Sequence, residues 1–226
     1  MTPQDAADRF VALAPDNKRL AMLHCSGDAA MDICLTAYEG SVKADPSAPT
    51  LKRIAHFGMF QMSDAQLKRA QALKADRLAI SIQPIWLTEL VKADIENMGE
   101  ERARTGYRFH SMVEAGLEPA ASTDMTGIYL GNIDPFKAMH AVVTRESDNG
   151  IFEPQEALSV EDAVRMWTLW PAKAIGEEAS RGSIAVGKLA DMVVLTGDIF
   201  TLPPDQIKDV AAAETITGGK VVYSRE

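Results

Sequence analysis

Three short runs of small or apolar residues in this sequence each end at a side chain that can bind a metal. These side chains are His24, His56 and Asp124, which follow residues 20–23, 51–55 and 117–123. A glycine or a helix start comes soon after each of them. Parallel α/β barrels place their chemistry where strands end. The pattern therefore predicts buried strands whose carboxyl ends carry candidate metal ligands.

Helix patterns alternate with these strands. The predicted strands are residues 20–23, 51–55, 78–82 and 117–122; the predicted helices are 3–13, one from Ser26 or Gly27, 63–74, 87–98, 106–114, 135–144, one from Ser159 and a short one over 171–176. Ser63-Asp-Ala-Gln66 has the form of a capping box. Residues 43–50 and a segment with Gly127 and Gly131 are predicted loops. Alternating strands and helices predict the α/β class, with a parallel sheet covered by helices.

After Gly182 the sequence pattern changes from alternating strands and helices to turns and strands. Residues 190–195 form a strand pattern, and residues 215–223 form a hairpin pattern that turns at Gly218-Gly219. We therefore expect two domains, an α/β part over residues 1–176 and a small β segment over residues 177–226.

Charge and composition exclude some partners. The net charge is −9, from 32 acidic and 23 basic residues, whereas nucleic acids and anionic membranes require a basic face. No apolar run reaches the ~18 residues of a spanning helix, and no signal peptide is visible at the N-terminus. Cys25 and Cys34 form neither a disulfide framework nor a zinc pair by spacing. These features favour a cytoplasmic protein.

The chemistry of the three strand ends suits a catalytic metal. Zinc-type sites use neutral imidazoles and carboxylates and leave one position for water. His24, His56 and Asp124 have that chemistry, but each also has an ordinary interpretation. A histidine near a strand end is often a hydrogen-bonded core residue, and an aspartate after Ser122-Thr123 is often a cap. His110 and His140 lie in helix patterns and are interpreted as ordinary helix residues.

Four blocks of sequence make the family interpretation specific. They are Leu23-His24-Cys-Ser-Gly27-Asp28, Arg53-Ile-Ala-His56, Tyr107-Arg-Phe-His through Ser122-Thr-Asp124, and Gly187-Lys-Leu-Ala-Asp191 with the closing hairpin 215–223. In this order they resemble the C-terminal portion of metal-dependent amidohydrolases, and more narrowly the branch that contains the N-substituted formamide deformylases.

This resemblance implies a fold, a chemistry and a set of roles. The fold would be the part of a (β/α)₈ TIM-type barrel that holds about strands five to eight, followed by a small β-sandwich segment. His24, His56 and Asp124 would bind a divalent metal, with zinc the first candidate, and Asp124 would also be the catalytic base. Gln83 and Trp86 would contact the substrate, a small amide or formamide.

The sequence also departs from the family pattern. It contains no His-x-His pair, and Ala55 stands where the family has glutamate. We therefore expect a partial barrel with open edges that forms a homo-oligomer or pairs with a missing N-terminal half. The alternative to a metal-dependent hydrolase of C–N bonds is a non-catalytic half-barrel that acts as an interaction or assembly module.

Overall fold

A parallel sheet lies at the centre of the structure, a computed structural model that describes residues 2, 5, 8–9, 21–44, 52–74, 78–124 and 133–226. Its four described strands lie side by side in chain order. They are β1 (Ala21–His24), β2 (Lys52–Ala55), β3 (Leu78–Ile82) and β4 (Ala120–Ala121). His24 lies opposite Ala55, and Ala55 lies opposite Ser81. Because the strands are parallel and in register, their carboxyl ends share one edge of the sheet.

Helices join and cover the strands, as the alternating pattern predicted. They are α1 (Asp28–Ala44), α2 (Asp64–Leu73), α3 (Val91–Met98), α4 (Glu100–Ala103), α5 (Phe109–Glu114), α6 (Pro135–Thr144), α7 (Val160–Trp167) and α8 (Leu169–Ala174). Short 3₁₀ turns occupy Pro84–Thr88, Pro154–Glu156 and Pro204–Asp209. A small hairpin joins β5 (Glu146–Ser147) and β6 (Gly150–Ile151). None of the described helices is long and apolar enough to cross a membrane.

The predicted capping box at the start of α2 is present. Ser63 Oγ accepts a hydrogen bond from the Gln66 backbone N–H at 3.2 Å, and Gln66 Oε1 accepts one from the Ser63 N–H at 2.9 Å. The Gln66 side chain also donates to the Asp28 carbonyl at 2.8 Å. The cap therefore ties α2 to the first turn of α1, just beyond β1.

Three helix starts differ from the predicted ones. The helix predicted from residue 87 begins at Val91, because a 3₁₀ turn that opens with Pro84 comes first. The helix predicted from residue 106 begins at Phe109, because Tyr107 has a φ of +52° that an α-helix cannot contain. The short helix predicted from Pro171 begins at Leu169, since proline is tolerated in a first turn.

Several features were not predicted or cannot be compared. Helix α4 and the β5–β6 hairpin were not predicted. The hairpin had a local signal, because Asp148-Asn149-Gly150 is a turn pattern between its two strands. Most of the predicted helix over 3–13 lies outside the described residues. The predicted loop with Gly127 and Gly131 and most of the one over 43–50 lie outside them as well.

The C-terminal segment forms an antiparallel sheet of β7 (Met192–Leu195), β8 (Ala212–Thr217) and β9 (Lys220–Ser224). The predicted glycine turn joins β8 and β9, and both glycines have positive φ. Consecutive residues of β9, among them Val222 at 62% exposure, are exposed. Neither face of β9 is therefore covered by the part of the chain that the structure describes. The predicted β-sandwich is seen there only as a single layer.

One hydrophobic core joins most of these elements. It includes Ile199 and Ile207 from the C-terminal segment together with residues of the helices and the parallel sheet. This segment is thus attached to the α/β part by buried apolar contacts. The boundary between two domains at residue 176 stays a prediction.

A buried polar network lies beside this core. The Tyr107 hydroxyl donates to Asp94 Oδ2 at 2.9 Å, and both residues are buried. The fully buried Arg145 donates from Nε to the Phe152 carbonyl at 2.9 Å. Burial raises the pKa of Asp94 to about 6 and lowers the pKa of Arg145 to about 10.

Candidate active site

Backbone pairing continues past the ends of the parallel strands. Cys25 N–H donates to the Ala55 carbonyl at 3.1 Å, and Phe57 N–H donates to the Ser81 carbonyl at 3.2 Å. Ser122 N–H donates to the Ile82 carbonyl at 2.9 Å. These bonds hold the segments that carry the candidate ligands at the same edge of the sheet.

His24 and His56, at the ends of β1 and β2, are in direct contact. Their ring centroids are 4.4 Å apart in an edge-on arrangement. The Trp86 ring stacks on His56, with centroids 5.2 Å apart. His24 is exposed, whereas His56 is only 4% exposed. The structure thus places two imidazoles at adjacent strand ends, one of them enclosed.

His56 and Asp124 both have an unusual backbone conformation. Their φ angles are +58° and +52°, in the left-handed region that residues other than glycine rarely occupy. His56 is the first residue of a turn that includes Gly58. The Met59 N–H closes this turn by donating to the His56 carbonyl at 3.2 Å. Strained conformations of this kind cluster at functional sites.

A cavity of about 440 Å³ lies along the inner side of the sheet. Its lining includes the predicted ligands His24, His56 and Asp124 and the predicted substrate residue Gln83. The predicted substrate residue Trp86 is not part of this lining in the described structure, and it reaches the site only by stacking on His56. The two other histidines lie elsewhere: His110 is exposed on α5, and His140 is buried on α6 with Nε2 3.4 Å from Glu146.

Two further polar residues on the cavity wall were not predicted as site residues. Arg53 lines the cavity from β2, and its Nη2 lies 3.1 Å from Met22 Sδ. Ser122 lines it beyond β4 and accepts a hydrogen bond from Gln83 Nε2 at 2.7 Å. Strand alternation was the available signal for Arg53, since residues 53 and 55 share a face and Ala55 is also in the lining.

Alanines form part of the lining of this cavity. Ala79, Ala120 and Ala174 form a small buried cluster in which α8 meets the sheet. Ala120 and Ala174 line the main cavity, whereas Ala79 and Ala174 line an adjoining cavity of about 210 Å³. The cluster therefore separates the two cavities.

The charge environment favours a neutral His56. Burial lowers the pKa of His56, and the neighbouring His24 lowers it further, while the Asp124 carboxylate and the Gln83 side chain act in the opposite direction. A neutral imidazole is the form that binds metals.

The residues fit a divalent metal by chemistry, although they do not yet enclose one. Two adjacent imidazoles and a carboxylate on the same cavity are a zinc-type donor set. Within the part of the chain that the structure describes, His56 Nδ1 is buried and has no hydrogen-bond partner, which leaves it free to bond to another group. However, no three ligand-type side chains among the described residues approach closely enough to hold a metal ion. The structure therefore shows two adjacent candidate ligands, with Asp124 lining the same cavity.

Comparison with known proteins decides the family. The sequence profile of the amidohydrolase family matches residues 1–223. The chain belongs to the amidohydrolase family.

Relatives of the chain include two bacterial proteins. The chain is 28% identical over 222 residues to the protein named amidohydrolase YtcJ of Bacillus subtilis, covering 96% of this chain and 40% of that protein. It is 30% identical over 208 residues to the N-substituted formamide deformylase of Arthrobacter pascens, covering 90% of this chain and 36% of that enzyme. This amidohydrolase chain thus spans well under half the length of either relative.

A solved structure supports the fold. A metal-dependent hydrolase from Pyrococcus horikoshii, described as uncharacterised, matches with a TM-score of 0.73 at 24% identity. The match covers 90% of this amidohydrolase chain and 39% of that protein.

Proposed function

We propose that this chain carries part of the active site of a metal-dependent hydrolase that cleaves C–N bonds of the amide or formamide type. The observation that carries the proposal is the convergence of His24, His56 and Asp124 from three strand ends on one cavity. The direct contact of the two imidazole rings supports it, as does the unusual backbone of His56 and Asp124.

The three residues have distinct parts in this proposal. His24 and His56 bind the metal through ring nitrogens, and Asp124 completes the donor set. A divalent metal, with zinc the first candidate, would lower the pKa of a water molecule and polarise the scissile carbonyl. Asp124 accepts the proton of the attacking water and delivers it to the leaving nitrogen, which is the work of a general base and acid.

The cavity offers a substrate surface beside these groups. Its lining includes Ala55, Ala121 and Pro171, which suit the apolar part of a small amide. In the proposed site Gln83 and Trp86 lie on the substrate side of His56. The likeness to a formamide deformylase supports formamides as the first substrates to test.

The first prediction concerns bound metal. The purified 226-residue chain, loaded with zinc and freed of excess metal on a sizing column, is expected to retain close to one equivalent by elemental analysis. His24→Ala, His56→Ala and Asp124→Ala are each expected to lose most of it, because each removes one donor. His110→Ala is the matched control: it removes an exposed imidazole on α5 and should leave the metal content unchanged.

Activity is the second part of the same test. Release of amine from N-substituted formamides should be measured for the chain alone and for the chain mixed with the separately expressed N-terminal portion of the Bacillus relative. Hydrolysis that Asp124→Ala abolishes and His110→Ala retains would support the proposal. A folded wild-type chain that binds no metal under either condition would refute it.

A second candidate function is a non-catalytic assembly module. The observation that favours it is the exposed apolar surface of β9, which includes Val221, Val222 and Tyr223. In this alternative the chain pairs with a second copy or with the rest of a longer protein. In either case we propose a cytoplasmic protein with a small-molecule substrate or a protein partner, and neither nucleic acid nor membrane.

A further inference from the structure

Of the three buried polar atoms beside the cavity that lack a hydrogen-bond partner among the described residues, two belong to buried residues. They are Nδ1 of His56 and Oε1 of Gln83, on side chains that are 4% and 3% exposed. An unsatisfied buried polar atom destabilises the folded state, and native structures keep few of them. Two such atoms in neighbouring residues of one site therefore require an explanation.

A hydrogen bond from the amide nitrogen of Gln83 sets the orientation of its side-chain amide. Nε2 donates to Ser122 Oγ at 2.7 Å, so Oε1 occupies the other side of the amide plane. Gln83 follows β3 directly, and His56 follows the neighbouring strand β2. Both side chains line the same cavity.

A donor and an acceptor are thus available for one bond. The neutral imidazole carries its proton on either Nδ1 or Nε2, and the amide oxygen can only accept. A hydrogen bond between the two atoms would satisfy both of them.

We propose that Gln83 is a positioning residue whose Oε1 accepts a hydrogen bond from Nδ1–H of His56 and so holds the imidazole in the tautomer with a free Nε2. The importance of this bond for catalysis rests on the function proposed above. Metal-binding histidines generally donate their second ring N–H to such a partner, which fixes the ring orientation. Gln83 then serves the site through His56, and Ser122 serves it by orienting Gln83.

The test reads the tautomer directly in the metal-free chain. Long-range ¹H–¹⁵N NMR spectra of the full chain at a pH where His56 is neutral distinguish the protonated from the unprotonated ring nitrogen. The wild-type protein should show Nδ1–H at His56. Gln83→Leu removes the acceptor and should shift His56 toward the Nε2–H form. His110, which is exposed on α5 away from the cavity, serves as an internal control, and its signals should not change.

Two further variants separate positioning from a merely structural role. Gln83→Glu keeps an acceptor and should keep the Nδ1–H form, while Ser122→Ala frees the amide and should give a mixture. Zinc affinity, measured by competition with a chelator, should fall about 10- to 100-fold in Gln83→Leu. It should recover in Gln83→Glu. Loss of packing alone would not be rescued by a charged side chain.

The outcomes distinguish this inference from the proposed function. Nε2–H at His56 in the wild-type chain would overturn it, because Nδ1 would have no proton to donate. An unchanged tautomer in a folded Gln83→Leu variant would overturn it as well, whatever the metal content. The expected tautomers in a chain that binds no metal would support the hydrogen bond and refute only the proposed function.

Discussion

At the scale of single residues, the candidate ligands have backbone conformations that other side chains would not favour. His56 and Asp124 have positive φ, which costs of order 1–3 kcal/mol for a residue other than glycine. Histidine, asparagine and aspartate tolerate this region better than most residues. The sequence predicted the identity of these ligands from their positions after apolar runs, but it contained no signal for their φ angles.

A residue-scale prediction concerns Asp94. Its folded pKa of about 6 lies above the ordinary value of 3.8, chiefly because of burial. The contribution of Asp94 to stability is therefore fully present below about pH 4 and is lost as the pH rises through 6. Asp94→Asn can still accept the Tyr107 hydrogen bond but cannot ionise. Relative to this variant, the wild-type free energy of unfolding should fall by on the order of 2 kcal/mol between pH 4 and pH 7.

Chemical denaturation at several pH values measures this difference. Glu96→Gln, which changes an exposed carboxylate on the same helix, is the matched control and should leave the pH dependence as it is. Equal pH dependence in the wild type and Asp94→Asn would contradict the prediction.

At the scale of elements, side-chain caps define where several helices begin. Ser63 and Gln66 start α2, and Gln66 also binds the carbonyl of Asp28 at the start of α1. Asp134 caps α6 through the Phe136 N–H at 2.9 Å. Ser159 caps α7 as its sequence pattern predicted.

The element-scale prediction is a loss of stability at Ser63. Ser63→Ala removes the acceptor for the Gln66 N–H and should lower the free energy of unfolding by about 1 kcal/mol. Ser63→Thr keeps a capping hydroxyl and should retain most of this stability. Urea denaturation of both variants provides the measurement, and equal losses in the two would show that the hydroxyl is not responsible.

Elements were predictable where the pattern was local. Strands β1 to β3 and the α2 cap follow from apolar runs and short-range signals around residues 20–23, 51–55 and 63–66. Helix α5, in contrast, begins later than predicted because Tyr107 has a positive φ. The Tyr107 hydroxyl also donates a hydrogen bond to Asp94, which is a tertiary contact. The burial of Arg145 also depends on tertiary contacts, and the sequence alone describes it only as a charged residue after α6.

At the scale of the whole molecule, the C-terminal sheet presents exposed apolar side chains. Val193 and Val194 on β7 and Val222 on β9 are 45–62% exposed, and large apolar patches often mark interaction sites. The hairpin predicted over residues 215–223 is present, but a packing partner for the sheet could not be predicted, because these side chains stay about half exposed within the described chain.

The whole-molecule prediction is self-association through this sheet. The wild-type chain should show concentration-dependent association by sizing chromatography with light scattering, and Val222→Lys should weaken it because the substitution places a charge in an apolar contact. Ser224→Lys adds the same charge to the same strand without removing an apolar side chain and should have a smaller effect. A wild-type chain that remains monomeric at every concentration would contradict the prediction.

The alanine cluster beside the main cavity also limits the volume that a substrate could occupy. Ala174, at the end of α8, lines both the main cavity and the adjoining one, and it is buried together with Ala79 and Ala120. A larger side chain at Ala174 would take up space in both cavities at once. One small residue, where a helix packs on the sheet, therefore couples the sizes of two separate spaces.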